Sequence, residues 1–508
     1  MKLEMNDLSK PQEFWGYFQQ ISEIPRCSKY EEKIREYMVK KAENFGFEHR
    51  IDKAGNLFIY LYDYSREQDA NSVVLQAHLD MVCEKNENVE FDFKKDGLDL
   101  KVIELESEKW ITAKGTTLGA DNGVGLAYIL VLMDRIANAQ IDLGGSKIIC
   151  LCTVDEESGL QGAFDIDPTL ISNLAFLINL DSEDDDTFTI GCAGGISTIG
   201  ELDIDLEKIE NKTKEKMGAI NLSISGLRGG HSGVDINKGH ENAIKLIAKI
   251  LWKVNNKYTI YLSSVNGGNR PNAIPREAKA FFFFKMKEKE EIQELLEDIF
   301  EEIELEIGTR ESNMTLSYEI SKESKENLIF PTRVQNQLLH MLYVCPNGVI
   351  DMHPEIKKLV YTSTNLAALK TTDTSFKVTT SQRSMDPLSK RIIYEKIEAL
   401  FQLADLGIKV SHIGDYPGWT PNFDSTLLNV AKETYKVLFG KKVQVRAIHA
   451  GLECGILKDR FPETELISIG PQIENPHSPD EKLQVKSVEK MWKFIIGFLK
   501  NLKSSLSN

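Results

Sequence analysis

Short apolar runs that end in acidic or histidine residues recur along the chain. Three of these runs predict buried strands, at residues 73–77, 147–154 and 175–180. The first run is followed by His78, the second leads into the acidic residues 155–157, and the third leads into Asp181. A strongly apolar helix is predicted after Asp121, between the first two strands. This alternation is typical of an α/β domain, which places its ligand sites at the carboxyl ends of its strands.

The pattern changes twice along the chain, which predicts an inserted domain. Between about residues 187 and 416, strands and helices carry long charged stretches, and the α/β pattern then returns. We therefore expect an α/β domain with a mixed central sheet flanked by helices. Its two parts are residues 1–186 and 417–508, and an α+β lid domain at 187–416 interrupts them.

Further elements follow from helical and alternating periodicity. Helices are predicted at residues 11–24, 30–45, 424–438 and 485–499. Strands are predicted at residues 57–61, 442–448 and 466–470. Within the lid domain, a strand followed by a helix occurs twice, over 219–254 and 374–403. This similarity suggests an internal duplication of the lid.

Composition narrows the classes of protein that fit this pattern. The 508 residues are 42% hydrophobic and 27% charged, which is typical of a globular chain with two or three domains. The net charge of -16 argues against nucleic acid as a partner, because phosphate binding needs a concentrated basic surface. No run approaches the roughly 18 apolar residues of a membrane span, and residues 1–7 carry no apolar signal region. A cytoplasmic protein without a membrane partner is expected.

The seven cysteines show no paired framework. Their number is odd and their density is low, so we expect reduced thiols in a cytosolic compartment. Cys150 and Cys152 lie within a predicted apolar strand and are expected to be small core residues.

His78 and Asp80 form the first candidate site. Residues two apart on a strand point the same way, so both side chains would project together from the strand end. A carboxylate beside an imidazole is the usual partner of a metal-bound histidine, because it binds the other ring nitrogen and fixes the tautomer. On these two residues alone, a simple polar pair at a strand end explains the pattern equally well.

A glycine-rich loop, residues 116–125, presents Asp121 at the start of a helix. Its spacing matches neither the P-loop nor the dinucleotide-binding fingerprint, so a phosphate site is not expected. Small residues would instead let the backbone come close to whatever lies beside Asp121.

The polar residues near strand ends and in nearby loops form one candidate constellation: His78, Asp80, Asp121, Glu156, Glu157, Asp181 and His477. Each has a simpler explanation when it is taken alone; adjacent acids, for example, are more often a solvated helix start. One α/β sheet, however, would bring these segments to one edge. Imidazoles with several carboxylates suit zinc, manganese or cobalt, and the set is large enough for two divalent ions.

Five motifs are more specific than these single residues. They are His78-Leu-Asp-Met-Val, Thr117-Leu-Gly-Ala-Asp-Asn-Gly-Val-Gly, Gly229-Gly-His-Ser-Gly-Val-Asp-Ile, His449-Ala-Gly-Leu-Glu-Cys-Gly and Pro476-His-Ser-Pro-Asp-Glu. Their order resembles that of the zinc-dependent exopeptidase family of dipeptidases, aminoacylases and glutamate carboxypeptidases. The resemblance covers nearly the whole chain, including the insertion. It implies a catalytic domain interrupted by a lid domain, and two bound metal ions: zinc, with manganese or cobalt as alternatives.

The resemblance also implies a role for each candidate ligand. Asp121 would bridge the two ions. His78 and Asp181 would complete the ligands of one ion, and Glu157 and His477 those of the other.

Two further residues would act beside the ions. Asp80 would orient the histidine that precedes it by two residues. Glu156 matches the family's general base, which takes a proton from the attacking water and returns it to the leaving amine. Of two adjacent acids, one would bind metal while the other stays free to move a proton.

Three residues of the lid domain are candidates for contact with substrate. His231 matches the family's lid histidine, which reaches the tetrahedral intermediate from the same chain or from a partner chain. Asn272 and Arg383 are candidates for holding substrate, since a guanidinium grips a terminal carboxylate at two points. The lid could also serve dimerisation, which would make the protein a homodimer.

The resemblance implies hydrolysis of small peptides, namely dipeptides with a free N-terminus, including Xaa-His dipeptides such as β-alanyl-histidine. Two alternatives stay open. The same metal core would serve an N-acyl amino acid amidohydrolase or another exopeptidase, because pocket shape and lid contacts decide between them. A non-enzymatic binding protein with a structural ion would need neither Glu156 nor His231.

Overall fold

The structure is a computed structural model that describes residues 8–62, 71–143, 147–209, 216–321 and 327–506. The expectation of no signal region concerns residues 1–7, which lie outside the described residues. Within the described ranges, no helix combines the length and the apolar character that a bilayer span requires.

The helices and strands are numbered in chain order. The helices are α1 (Gln12–Ser22), α2 (Glu32–Asn44), α3 (Ala120–Ala137), α4 (Glu156–Gly159), α5 (Gln161–Phe164), α6 (Ala243–Lys257), α7 (Lys289–Ile307), α8 (Thr332–Val344), α9 (Pro387–Leu403), α10 (Thr426–Phe439), α11 (Glu453–Arg460) and α12 (Val485–Leu506).

The strands are β1 (Glu48–Ile51), β2 (Leu57–Tyr60), β3 (Ser72–His78), β4 (Leu100–Leu105), β5 (Glu108–Ala113), β6 (Lys147–Thr153), β7 (Leu174–Asn179), β8 (Thr187–Cys192), β9 (Gly194–Asp203), β10 (Glu207–Lys208), β11 (Met217–Ser225), β12 (Gly230–His231), β13 (Ile260–Gly267), β14 (Ala273–Ile274), β15 (Ala278–Lys285), β16 (Thr315–Ser321), β17 (Leu328–Ile329), β18 (Gly348–Met352), β19 (Val360–Thr371), β20 (Ser375–Ser384), β21 (Lys409–Tyr416), β22 (Gln444–Ile448), β23 (Glu465–Ser468), β24 (Ile473–Glu474) and β25 (Lys482–Gln484).

The chain divides into two compact units. Unit 1 consists of Met1–Gly191, Trp419–Ala447 and Leu452–Asn508, and unit 2 consists of Cys192–Gly418 and Ile448–Gly451. Most of unit 2 is therefore a single insertion in the sequence of unit 1.

Unit 1 is built on a mixed eight-stranded sheet, in the order β1-β2-β6-β3-β7-β23-β8-β22. β3 pairs in parallel with β6 and β7, and β7 pairs in parallel with β23. All residues of β3 and β6 are buried, as is typical of parallel strands covered on both faces. Because these strands point the same way, the segments that follow them leave the sheet at one edge. The predicted α/β class with a mixed sheet is confirmed.

Two more elements bring polar residues towards this edge. Helix α3 is buried from Val124 to Met133 and packs against α1 and β3, which explains its apolar sequence. Its first turn carries Asp121. A separate four-stranded sheet, in the order β24-β25-β5-β4, holds the loop that contains His477, between β24 and β25.

Unit 2 contains a nine-stranded sheet, in the order β16-β11-β15-β13-β19-β20-β9-β21, and β18 also pairs with β19. Helix α6 buries Ile244, Ile247 and Leu251 in a core shared with β11, β13 and β15. The two predicted strand–helix segments correspond to β11 with α6 and to β20 with α9. An internal duplication stays a prediction.

One pair of cysteines forms a disulfide, which corrects the expectation that all seven thiols are reduced. Cys27 and Cys83 are bonded, with Cα atoms 5.7 Å apart, although they are separated by 56 positions in the sequence. Backbone pairing brings their segments together, because the Met81 amide donates to the Arg26 carbonyl at 3.1 Å. Cysteine connectivity cannot be deduced from sequence alone. The other five cysteines are buried, as expected for those of the core strand β6.

We expect alkylation of the unfolded, unreduced protein to leave only Cys27 and Cys83 unmodified, since a thiol reagent cannot reach bonded sulfur. Mass spectrometry of the digest measures this directly. Cys83→Ser should lower the free energy of unfolding by about 2–4 kcal/mol, because the disulfide restricts the unfolded chain. Cys345→Ser, in unit 2, is a control that leaves the disulfide in place. Full labelling of all seven cysteines would contradict the pairing.

Candidate metal centre

Neighbouring parallel strands and the first turn of α3 deliver the polar residues of this site. His78 is the last residue of β3, and Asp181 follows the end of β7 by two residues. Glu156 and Glu157 open α4 just after β6, and Asp121 lies in the first turn of α3. The parallel pairing of β6, β3 and β7 places these segments at the same edge, where their side chains converge.

Asp121 lies between two histidines and faces each with a different oxygen. Its Oδ1 is 2.8 Å from Nε2 of His78, and its Oδ2 is 3.1 Å from Nε2 of His477. The Nε2 atom of His78 also lies 3.3 Å from Oδ1 of Asp181, and that of His477 lies 3.1 Å from Oε1 of Glu157. Two groups of one histidine and two carboxylates therefore share Asp121, and the ligand atoms of each group lie within 4.8 Å of one another.

Asp80 is placed beside the other ring nitrogen of His78. Its Oδ1 is 3.2 Å from Nδ1 of His78. The same carboxylate accepts hydrogen bonds from Ser28 Oγ at 2.7 Å and from the amides of Glu156 and Glu157, both at 3.1 Å. Asp80 therefore contacts the imidazole and accepts the first amides of α4, while Nε2 of His78 faces the shared carboxylate.

Opposite charges stabilise the ionised form of Asp121. Burial opposes its ionisation, but hydrogen bonds from His477 and His78 outweigh burial and hold the pKa of Asp121 well below its usual range. The hydrogen bonds with Asp121 and then Glu157 raise the pKa of His477 to about 11. The shared carboxylate is thus an anion that depends on positive charge on both sides.

Two other acids of the site resist ionisation. Burial raises the pKa of Asp181 to about 7, and repulsion from Asp121 adds to this effect. Burial also raises the pKa of Glu156 well above its ordinary value, and the charges of Asp181 and Glu157 act in the same direction. Several buried carboxylates within a few ångströms need cations beside them. The imidazole and carboxylate donors fit divalent metal ions that prefer nitrogen and oxygen ligands.

Unit 2 holds the other sequence-predicted residues, and His231 is a neutral hydrogen-bond donor there. Its Nδ1 accepts the amides of Gly233 at 3.1 Å and Val234 at 3.2 Å. The ring proton must then be on Nε2, because a ring nitrogen that accepts a hydrogen bond carries no proton. Burial, followed by the charge of Arg383, lowers the pKa of His231 to about 4. The ring therefore presents an uncharged Nε2–H group.

The backbone segments that carry Asn272 and His231 pair with each other. The pairing of β12 with β14 sets His231 opposite Ala273, and the amide of Ser232 donates to the carbonyl of Asn272 at 2.8 Å. The structure therefore brings Asn272 and His231 together, although they are 41 positions apart in the sequence.

Arg383 is a buried guanidinium in β20. One of its nitrogens, Nη1, donates to the hydroxyl of Tyr416 at 2.7 Å, while Nε has no hydrogen-bond partner among the described residues. His449 is also buried, and its Nε2 lies 2.7 Å from Oγ of Ser363. Burial, then the positive charge of Arg383, lowers the pKa of His449 to about 3. A buried cation beside two neutral imidazoles is suited to an anionic group.

Comparisons with known proteins agree with this geometry. A family model described as peptidase family M28 matches residues 61–226, and one described as a peptidase dimerisation domain matches residues 222–309. The cytosol non-specific dipeptidase of Escherichia coli (strain K12) is 35% identical over 499 residues, which is 98% of this chain and 99% of that protein. The chain belongs to this family of dipeptidases.

Solved structures show the same relationship. The crystal structure of aminoacylhistidine dipeptidase from Vibrio alginolyticus superposes with a TM-score of 0.85 at 34% identity, over 98% of this chain and 97% of that chain. A tripeptidase from Staphylococcus aureus shares the fold, with a TM-score of 0.54 at 16% identity, over 97% of this chain and 98% of that chain. As a member of the dipeptidase family, the chain is a metallopeptidase, a hydrolase that cleaves dipeptides at a site for two metal ions.

Three buried residues of this dipeptidase site were not singled out from the sequence. Arg26 lies in a loop before α2, where no strand end draws attention to it. Glu481 and Glu453 occur within quoted motifs, but nothing in those motifs assigns them a contact. Glu453 receives hydrogen bonds from Gln76 at 2.5 Å and Thr153 at 3.0 Å, and burial raises its pKa to about 8.

The titration of His231 tests the description of unit 2. We expect a pKa of about 4 and a proton on Nε2 at neutral pH, measured by nitrogen-15 NMR of the imidazole rings. Arg383→Gln should raise this pKa, because it removes a positive charge that disfavours the imidazolium. Arg383→Lys keeps the charge and is the matched control, with a smaller change expected. A His231 pKa at its ordinary value in the wild-type protein would contradict the description.

Proposed function

We propose that the chain hydrolyses dipeptides with a free N-terminus, over a broad range that includes Xaa-His dipeptides such as β-alanyl-histidine. The observation that carries this proposal is the Asp121 carboxylate, whose two oxygens face His78 and His477. The names of two relatives support the substrate range, since one is a non-specific dipeptidase and the other an aminoacylhistidine dipeptidase.

Five residues would hold the two ions. Asp121 would be shared by both ions, His78 and Asp181 would complete the ligands of one ion, and Glu157 and His477 would complete those of the other. The division follows the two ligand groups that share Asp121. When bound, such ions lower the pKa of a water towards about 7 and polarise a carbonyl oxygen.

Glu156 would be the general base. Its neighbour Glu157 is 3.1 Å from His477, while the carboxyl of Glu156 belongs to neither of the two groups that share Asp121. Burial raises the pKa of Glu156 well above its ordinary value, so this carboxyl holds a proton more tightly than a solvent-exposed glutamate does. Glu156 would accept a proton from the attacking water and deliver it to the leaving nitrogen, and Asp80 would hold His78 and the start of α4 in place.

Three residues of unit 2 would contact the substrate. His231 would donate its Nε2–H hydrogen bond to the oxygen that gains negative charge during attack. Arg383 would bind the terminal carboxylate, because its buried Nε has no partner in the described part of the chain. Asn272 would add a polar contact beside His231.

We also propose that the metal is zinc, that the protein is a homodimer and that it is cytoplasmic. Zinc suits the imidazole and carboxylate donors, with manganese or cobalt as alternatives. A homodimer is supported by the match of residues 222–309 to a peptidase dimerisation domain. Cytoplasmic location is supported by the name of the Escherichia coli relative.

Glu156→Gln tests the reaction. We expect kcat for free-amine dipeptides to fall by more than about a hundredfold, because the amide cannot accept the proton. Two metal ions should remain bound, since Glu156 is not a proposed ligand. Initial rates of dipeptide hydrolysis give kcat, and metal analysis of the same preparations gives the number of bound ions.

The matched control is Glu43→Gln, which makes the same change on an exposed face of α2. Equal activity of Glu156→Gln and wild type would exclude the proposed mechanism. Faster cleavage of N-acetyl amino acids than of free-amine dipeptides by wild type would favour an amidohydrolase instead.

His78→Ala and Asp80→Ala separate a ligand from its positioning partner. We expect His78→Ala to retain one of two metal ions, because its Nε2 faces Asp121 and Asp181. Asp80→Ala should lower activity by about 10–100-fold, with a smaller loss of metal, because the imidazole loses its orientation. Equilibrium dialysis and initial rates distinguish the two. Identical metal content in both variants would contradict the assignment.

A further inference from the structure

The loop that carries Asp121 is bound on one side by a single carboxylate. Glu481 Oε2 accepts the amides of Leu118 at 2.7 Å and Gly119 at 3.0 Å, and Oε1 accepts those of Ala120 at 2.8 Å and Asp121 at 3.4 Å. Glu481 is 2% exposed, so few other groups compete for these amides. Four successive donors directed at one carboxylate fix the backbone up to the Asp121 residue itself.

A buried guanidinium binds the same loop through its carbonyl groups. Arg26 is also 2% exposed, and its Nη2 donates to the carbonyl of Gly119. Its Nη1 donates to the carbonyls of Leu79 at 3.1 Å and Asp80 at 2.6 Å. One side chain therefore connects the Asp121 loop with the segment that follows His78.

The glycines of the loop leave room for this guanidinium. A Cβ atom on Gly119 would lie 2.7 Å from Nη2 of Arg26, and one on Gly123 would lie 2.9 Å from the same atom. Gly119 also has a φ of +65°, which other residues rarely adopt. The predicted reason for the glycine-rich sequence, a close approach beside Asp121, has its physical basis in Arg26.

The two side chains connect different histidine segments to the same loop. Arg26 connects it to the segment of His78, and Glu481, four residues after His477, connects it to that of His477. Burial of a lone charge is costly, and Arg26 is buried among opposite charges. Burial lowers the pKa of Arg26, while the charges of Asp80, Glu481 and Asp121 act in the opposite direction. Such long-range contacts are more than is needed to close a surface loop.

We propose that Arg26 and Glu481 are positioning residues that set Asp121 relative to His78 and His477, respectively, and thereby set the affinity of each ligand group for its ion. This proposal rests on the proposed role of Asp121 as the shared ligand.

The test is a cobalt titration of the metal-free full chain, for wild type, Arg26→Lys and Glu481→Gln. Lysine cannot contact the carbonyls of two segments as the guanidinium fork does, and glutamine places an NH2 group against backbone amides. His78→Ala and His477→Ala provide reference spectra for the loss of each ion. Visible absorption reports the geometry of each cobalt ion, and equilibrium dialysis reports the number bound.

We expect Glu481→Gln to lower the affinity for one of the two cobalt ions by at least about tenfold. The absorption that is lost should be the same as that lost in His477→Ala. Arg26→Lys should lower the affinity for the other cobalt ion, and the absorption that is lost should be the same as that lost in His78→Ala. In both variants kcat on a dipeptide should fall about 10–100-fold while KM stays within about threefold, since the substrate contacts are not changed.

Two matched controls make the same substitutions at similar contacts elsewhere in unit 1. Arg35→Lys alters a guanidinium that donates to the carbonyl of Gly55 at 3.2 Å. Glu465→Gln alters a carboxylate that accepts the amides of Thr426 at 3.2 Å and Leu427 at 2.7 Å. Both controls should bind cobalt as wild type does.

Gly123→Ala covers the case in which Arg26→Lys does not fold. Alanine is favoured over glycine in a helix. Its Cβ would lie 2.9 Å from Nη2 of Arg26 and 3.3 Å from Cε2 of Phe18, so the end of the Arg26 side chain has to move most. We expect the same selective loss of cobalt affinity as for Arg26→Lys. For Glu481, the shorter Glu481→Asp keeps the charge but not the reach, and it should give the same loss as Glu481→Gln.

The proposal is overturned if the folded variants bind both cobalt ions with wild-type affinity and spectrum. It is also overturned if the Arg35→Lys and Glu465→Gln controls lose cobalt to the same extent. Wild type itself reports on the proposed function: two bound cobalt ions without dipeptide cleavage would refute that function and leave the positioning role standing.

Discussion

The site depends on one largely buried carboxylate that is shared by two imidazoles. Asp121 can face His78 and His477 at 2.8 and 3.1 Å only if segments from distant parts of the chain meet to within a few tenths of an ångström. The parallel strands β6, β3 and β7 bring these segments to one edge, but a sheet edge alone does not fix a loop that closely. The backbone contacts of the 118–121 loop provide the remaining constraint, because they act on the same residues that carry the ligand.

An uncharged polar layer lies below these charges and connects the strands to one another. Gln76 in β3 donates to Thr153 in β6 at 3.1 Å, and its carbonyl oxygen accepts from Asn179 in β7 at 2.5 Å. Asn179 in turn accepts from Ser468 in β23. Gln76 and Thr153 also donate to Glu453, so each of these groups has a hydrogen-bond partner and burial costs little. The fixed spacing of the four strands therefore extends to the segments that follow them. This rigid hydrogen-bonded layer thus opposes the repulsion among the carboxylates of the site.

The strand ends could be predicted from the sequence, but the contacts that hold the 118–121 loop could not. His78 and Asp181 were identifiable because an apolar run that ends in a polar residue is visible in the sequence itself, and Asp121 because it lies between a glycine-rich loop and an apolar helix. Arg26 and Glu481 bind backbone groups, and a backbone carbonyl or amide has no identity that a sequence pattern could reveal. The Cys27–Cys83 disulfide was missed for a related reason, since its geometry depends on the pairing of two remote segments rather than on spacing. The glycines of the loop did indicate a close approach, although not which side chain makes it.

The environments of Asp121 and Glu156 explain why residues of the same chemical kind would have different functions. Both are largely buried acids of one site, and burial alone would raise the pKa of each. Asp121 gains hydrogen bonds from two histidines and stays ionised, whereas Glu156 faces other carboxylates and holds its proton more tightly. An anion shared by two imidazoles is suited to cations, and an acid that both gains and loses a proton is suited to proton transfer. The two roles are therefore not interchangeable, because the neighbours of each residue, rather than its own chemistry, determine which one it can fill.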